Sequence, residues 1–338
     1  MPERPMCVRC ILPATFPGIS FDAKGECNFC QNALPLADLD AHRATLRQEM
    51  EQAIEAARGR AAYDCVVAFS GGKDSSYTLK LLVERYGLTC LAVTIDNGFM
   101  SEQARVNGAT VTERLGVDLV VFRPAPAFMN HLYRQSATRR DIHSPAAIKR
   151  ASDLCSSCIG LINRHMIRVA VSHRTPLIAG GYIGGQVPKD GALLRVDLDA
   201  PAFSDEAAGA RAVRAFGPDA ARFFEVGSSG PRGRVTIINP MLTLGVTEER
   251  IVEELHGLGW KRTDDTGQNS TNCRLNDLGI LVHVRRYGFN PYAFEMAEQV
   301  RSGLLDRATA LTRLAAVPDV TSVAQQARQI GLVPSDLA

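Results

Sequence analysis

The chain has 338 residues, enough to bury a large core in one main domain with smaller attachments. Its 46% hydrophobic and 22% charged residues are ordinary for a globular fold, and no apolar run nears the ~20 residues that span a bilayer. A net charge of +2 excludes a molecule-wide field for polyanions and leaves only a local basic patch for that role. The polar N-terminus lacks a leader pattern, so the expected location is cytoplasmic, with no membrane partner. In that compartment nine cysteines point to metal or redox chemistry before disulfides.

The first element is a pair of knuckles, Cys7-Val8-Arg9-Cys10 and Cys27-Asn28-Phe29-Cys30, with sixteen residues between them. This spacing fits a four-thiolate zinc ribbon over residues 1–35, and a saturated site of that kind is structural. Pro13, Pro17, Gly18 and Gly25 suit two short hairpins, and so small a module would take its folding energy from the metal. Residues 36–61 read as a helical connector, with Leu39, Leu46, Met50 and Ile54 at near-helical spacing.

From Ala62 to residue 245, strand and helix patterns alternate, which argues for a mainly parallel sheet covered on both faces. The strand-like runs are Cys65–Phe69, Cys90–Ile95, Leu119–Phe122, Leu177–Ala179 and Val235–Ile238. Cys65 and Cys90 lie inside such runs and read as core filler. The first run ends in Ser70-Gly71-Gly72-Lys73-Asp74-Ser75, followed at once by a helix pattern. A strand, a glycine-rich turn and a helix N-terminus make an anion site. Ser70 and Ser75 can donate to phosphate oxygens, Lys73 adds a point charge, and Asp74 suits a divalent cation.

Ligands of such sheets sit beyond the carboxyl ends of the strands. Asp96-Asn97-Gly98 and the loop Gly180-Gly181-Tyr182-Ile183-Gly184-Gly185 should therefore face the same crevice as the first loop. Residues 187–234 carry Ala-rich patches and Ser228-Ser229-Gly230-Pro231, the mark of a surface insertion serving as a lid or a partner contact. Residues 246–338 read as a mostly helical C-terminal region packed beside the sheet, with Val246–Leu258 amphipathic and a helix pair over 290–315.

Cys155 and Cys158 open the helix pattern Ile159–Ser172, where a helix N-terminus lowers a thiol's pKa. Cys273 stands alone in a polar stretch, Asn269–Asp277. Two cysteines plus one distant third suit a 4Fe-4S cluster with one iron open to substrate. Zinc completed by His165 or His283, and a redox dithiol carrying a persulfide, are the competing assignments.

Ser-Gly-Gly-Lys-Asp-Ser lacks the first glycine and long loop of the Walker pattern and resembles the PP-loop of the ATP pyrophosphatases. That resemblance implies a Rossmann-like α/β PP-loop domain of the HUP type. It also implies that ATP and Mg2+ are bound at Ser70, Gly71, Gly72, Lys73, Asp74 and Ser75, bordered by Asp96, Gly180 and Gly181. Two groups within the superfamily are similar. The N-acetyl sugar amidotransferases resemble the chain through the ribbon, Pro17–Asp22, the PP-loop, Val93–Gly98, the Cys155–Cys158 pair and Val300–Gly303. The cluster-dependent thiotransferases combine a PP-loop, a later Cys-x-x-Cys and a third distant cysteine. Here Ser75 to Cys155 is eighty residues and Cys158 to Cys273 is 115.

Both groups activate an acceptor oxygen as an AMP ester and release pyrophosphate. They differ in the second nucleophile, ammonia or sulfur. Cys273 departs from the amidotransferase pattern, so the expectation is sulfur transfer with Lys73, Asp74, Cys155, Cys158 and Cys273 catalytic. The alternatives are an amidotransferase fed by a partner glutaminase and a non-enzymatic zinc-ribbon protein that binds RNA or nucleotide. The expected partners are a small-molecule or sugar-nucleotide acceptor ahead of tRNA, a sulfur donor, and a second copy of the chain. Aromatic residues make up 6% and do not alternate with basic ones, so no base-stacking platform is evident.

Overall fold

The structure, a computed structural model, describes residues 5–227 and 233–333. Six strands form one sheet: β1 (Cys65–Ala68), β2 (Cys90–Ile95), β3 (Asp118–Phe122), β4 (Leu177–Ala179), β5 (Leu193–Asp197) and β6 (Arg234–Ile238). Their order is β3-β2-β1-β4-β6-β5, with every pair parallel except the antiparallel β5–β6 edge. The five expected strands are present, and β5 is an addition from the stretch read as an insertion. It was missed because Leu193–Asp197 sits at the sheet edge with mixed polarity, although Pro188-Lys189-Asp190-Gly191 marks a turn just before it.

The helices are α1 (Asn28–Gln31), α2 (Leu39–Ala57), α3 (Lys73–Lys80), α4 (Glu102–Leu115), α5 (Pro126–Thr138), α6 (Pro145–Ile148) and α7 (Asp153–His173). They continue as α8 (Asp205–Phe216), α9 (Ala221–Phe224), α10 (Glu248–His256), α11 (Asn276–Tyr287), α12 (Ala293–Arg301), α13 (Arg307–Ala315) and α14 (Val320–Gln329). One face of the sheet packs Val67, Cys65 and Cys90 against Met50 and Ile54 of α2, Leu79 of α3 and Leu255 of α10. Both cysteines are core filler, as expected. The other face packs Val66, Leu91 and Val93 against Met166, Ile167 and Ala170 of α7.

Within residues 187–227, α8 and α9 are packed into the body of the protein. Ala212 and Phe216 of α8 and Phe223 of α9 enter a core with α5, α11 and α14, and Phe223 stacks on Phe128 at 3.9 Å. Ser228, Ser229, Gly230, Pro231 and Arg232 lie outside the described residues. Among the described residues no helix is long and apolar enough to cross a membrane.

The ribbon shares a core with the C-terminal helices. Ile11, Leu12 and Phe16 pack with Phe289, Ala293 and Met296, and Phe16 stacks on Phe294 with centroids 5.3 Å apart. Arg307 of α13 donates to the carbonyls of Cys10 and Cys7. The C-terminal helices therefore divide: α10 covers the sheet, whereas α12 and α13 back the ribbon.

Candidate active site

Strand order reverses between β1 and β4, and the loops leaving these two strands meet there. In an open parallel sheet this is where ligands bind. Gly71 turns the first loop with φ +69°, a conformation that favours glycine, and a Cβ there would lie 2.0 Å from the carbonyl oxygen of Ala104. Its own carbonyl accepts from the Trp260 indole at 2.9 Å and the Asn107 amide at 3.4 Å. Gly72 caps α3, so Lys73, Asp74 and Ser75 occupy the first turn, where backbone N–H groups are free of helical partners. Ser75 Oγ accepts from the Ser70 amide at 3.1 Å and lies 3.1 Å from Ser70 Oγ. Ser75 Oγ also donates to the Gly72 carbonyl at 3.2 Å and Ser70 Oγ accepts from the Gly72 amide at 3.4 Å, so the two hydroxyls brace the loop in a preformed shape.

From the other side, Gly181 presses on α3: a Cβ there would meet the Ser75 amide nitrogen at 3.0 Å. The glycine-rich loop was expected to approach a nucleotide closely, and in the structure its tight approach is to the backbone of the first loop. The pair forms the floor of a cavity of about 660 Å³. The chain has an α/β fold in which a mostly parallel six-stranded sheet carries this cavity at its centre.

Ser70, Gly72, Lys73, Asp74, Ser75, Gly180 and Gly181 all line the cavity, and so do Cys155, Cys158 and Cys273. Ser152 caps α7 by accepting from the Cys155 amide at 3.2 Å, so the cysteine pair lies inside the first turns of a helix that starts earlier than its apolar pattern. Cys273 is brought in by a bridge to Met100 and by Arg274, whose amide donates to Phe99. Asn97 Nδ2 reaches Cys273 Sγ at 3.5 Å and Cys158 Sγ at 3.9 Å. The Tyr133 hydroxyl is buried beside Cys158 without a nitrogen or oxygen partner.

Two expectations are corrected. Asp96 does not line the cavity: its carboxylate accepts from the Gly98 amide and pairs with Arg105 at 3.3 Å and Arg123 at 3.7 Å. Side chains alternate along an extended segment, so the next residue, Asn97, faces the crevice. The helix start also does not lower the thiols. Burial pushes Cys155 up to about 12 despite Ser152, and Cys158 up to about 11. In this apolar wall desolvation outweighs the helix N-terminus.

The zinc alternative loses both its named histidines. Burial draws His165 down to about 4 and stacks it on Phe122 at 4.4 Å, while His283 sits against Tyr287 and Phe289. Neither lines the cavity.

The ribbon quartet contrasts with the cavity thiols. The ligand atoms of Cys7, Cys10, Cys27 and Cys30 all lie within 4.8 Å of one another, with Cys7–Cys30 and Cys10–Cys27 at 3.8 Å. A tetrahedron with Zn–S bonds of about 2.3 Å has edges of about 3.8 Å, so the quartet fits one zinc ion. Among the described residues no other group of His, Cys, Asp or Glu is so compact. Cys155, Cys158 and Cys273 line the cavity and are not part of that compact quartet.

Asn97 and Glu295 line the cavity and escaped sequence reasoning, as did the charges that surround Lys73. Lys73 Nζ contacts Asp74 at 2.8 Å and lies 4.0 Å from Glu248 of α10. Burial alone would lower this ammonium, but Asp74 and Glu248 outweigh it and hold it raised. Burial opposes Glu248 too, yet Lys73, Arg262 and Arg313 draw it down to about 2. Glu295 of α12 lines the cavity, takes a hydrogen bond from Gln186 at 2.8 Å, and is pushed up to about 7 by burial. Nothing in the sequence marks Glu295, which stands on an ordinary amphipathic helix; Asn97 had its Asp-Asn-Gly loop as a signal.

No family model matches the chain. An uncharacterized protein of Methanocaldococcus jannaschii is 27% identical over 317 residues, which span 93% of this chain and 94% of that protein. Among solved structures, the U34-tRNA thiolase NcsA of Methanococcus maripaludis, seen with its 4Fe-4S cluster, overlaps with a TM-score of 0.35 at 15% identity over 97% of each chain. NMN synthetase of Francisella tularensis overlaps with a TM-score of 0.40 at 12% identity, over 89% of this chain and 98% of the other. Overlaps this loose say nothing of activity.

Proposed function

We propose that the chain is an ATP-dependent adenylating enzyme that replaces an acceptor oxygen with sulfur. One observation carries this reading: Cys155, Cys158 and Cys273 line the same cavity as Ser70, Lys73, Asp74 and Ser75. In the first step the acceptor's carbonyl or amide oxygen forms a bond to the α-phosphorus of ATP, and the bond to the β-phosphate oxygen breaks. Pyrophosphate leaves. Ser70, Ser75 and the free amides of the α3 N-terminus donate to the phosphate oxygens, and the Lys73 ammonium offsets charge gathering on the leaving group. Asp74, released from Lys73, would hold Mg2+ with the phosphates.

In the second step a hydrosulfide sulfur bonds to the activated carbon and AMP departs with the original oxygen. Cys155, Cys158 and Cys273 would hold a 4Fe-4S cluster, whose chemistry when bound is to deliver sulfur. Asn97 orients two of these thiols from above, and the apolar wall around them limits water. The ribbon's zinc takes no part in the reaction. The acceptor is a small molecule or sugar nucleotide, and the protein is placed in the cytoplasm.

Anaerobic purification tests the reading through iron and acid-labile sulfide. Both should be present and should disappear together in Cys273→Ser. Lys73→Met should abolish acceptor-dependent pyrophosphate release while leaving circular dichroism unchanged. Zinc without sulfide after anaerobic reconstitution, or full activity in Cys273→Ser, would replace sulfur transfer with amidotransfer.

A further inference from the structure

The N-terminus of α3 is not left to solvent. The Lys73 amide, the first of its N–H groups, is already engaged and donates to Thr271 Oγ1 at 3.1 Å. Thr271 comes from a distant segment, 198 residues along the chain, and its side chain lines the cavity and is largely buried. The hydroxyl accepts this bond, so its hydrogen is free to donate, and among the described residues it has no acceptor. This donor lines the cavity at the edge of the phosphate cradle, where a phosphate oxygen would supply its acceptor. Gly72 confirms how tight the approach is, since a Cβ there would lie 3.0 Å from Thr271 Oγ1 and 3.3 Å from Asn272 Cβ.

The segment is also fixed to the thiol side. Asn272 accepts from the Ser101 amide at 2.9 Å, and the Cys273 amide donates to Ser270 Oγ at 3.1 Å. Thr271 and Cys273, two residues apart, thus belong to one hydrogen-bonded segment.

We propose that Thr271 is a phosphate-binding residue that completes the loop from outside it and ties nucleotide occupancy to the position of Cys273. Its hydroxyl accepts from the Lys73 amide and donates to a phosphate oxygen of ATP. The inference rests on the cavity being the ATP site, as argued above.

The test uses the full chain and a non-hydrolysable ATP analogue with a carbon bridge between the α- and β-phosphates. Thr271→Val keeps the shape and removes the hydroxyl, and should weaken analogue binding by calorimetry about tenfold or more, as expected for one hydrogen bond to a charged group. Thr271→Ser should restore it. The second readout is Cys273 alkylation in protein prepared without iron, quantified by mass spectrometry. Analogue binding should change the alkylation rate in the wild type and in Thr271→Ser, but not in Thr271→Val at saturating analogue. Wild-type binding that Thr271→Val leaves intact, or a rate response that survives in Thr271→Val, overturns the inference alone. No binding by the wild type, or undiminished binding by Lys73→Met, overturns the ATP site itself.

Discussion

Replacing Gly71 with alanine separates two costs that the structure makes additive. The first is conformational, since a non-glycine residue at φ +69° sits in the left-handed region at about 1–2 kcal/mol. The second is steric, because the new Cβ would fall 2.0 Å from the Ala104 carbonyl oxygen, and backbone cannot rotate away as a side chain can. Overpacking of this kind costs about 1–3 kcal/mol, so the total loss should be about 2–5 kcal/mol. Gly116 is the control: it caps the same helix α4 at φ +64°, with nothing within 4 Å of its would-be Cβ. Gly116→Ala should therefore lose only the conformational part, about 1–2 kcal/mol. Trp260, the chain's one tryptophan, bonds to Gly71, so its fluorescence during urea denaturation reports on the loop directly. Equal shifts in the two variants would refute the clash and, with it, the claim that the loop is wedged against α4.

Two further outcomes follow from the site. The protein should carry one zinc per chain at the quartet. Its removal by a strong chelator should accelerate hydrogen exchange in α12 and α13 but not in β1 or β2; uniform protection without metal would mean the ribbon stands without it. The two glutamates flanking Lys73 should respond to pH in opposite directions. Glu295 is raised in the fold, so its contribution to stability is complete below 4.5 and lost as pH rises to about 7. Glu248 is lowered, so its contribution is complete above 4.5 and lost as pH falls toward 2. Melting temperature against pH should flatten on the upper side in Glu295→Gln and on the lower side in Glu248→Gln; the reverse assignment would contradict the electrostatics.

Local chemistry was readable from the sequence wherever one short segment carries it. The four knuckle cysteines, the strand–Ser-Gly-Gly-Lys-Asp-Ser–helix unit and five strands needed only neighbours in the chain to be recognised. Residues whose roles depend on distant partners were not readable. Asp96 looked like a ligand until Arg105 and Arg123 were seen to take its carboxylate. Cys155 looked like an acidified thiol because its helix position is local, whereas the apolar wall that raises it is assembled from several elements. Thr271 and Glu295 reach the cavity only through folding, and neither polarity nor spacing distinguishes them from surface residues.

The shared core between the ribbon and α12 sets a timetable for synthesis. Arg307 reaches back 297 residues to Cys10, so the ribbon leaves the ribosome long before its packing partners exist. At about 5–20 residues per second, that interval is roughly 15–60 s. Through it, Ile11, Leu12 and Phe16 have no finished surface to rest on, and a metal ion gripping the four thiolates would be what keeps the nascent ribbon folded. Metal supply during translation would then govern yield, and expression in zinc-poor medium should give aggregated chains even where the purified protein tolerates brief chelation.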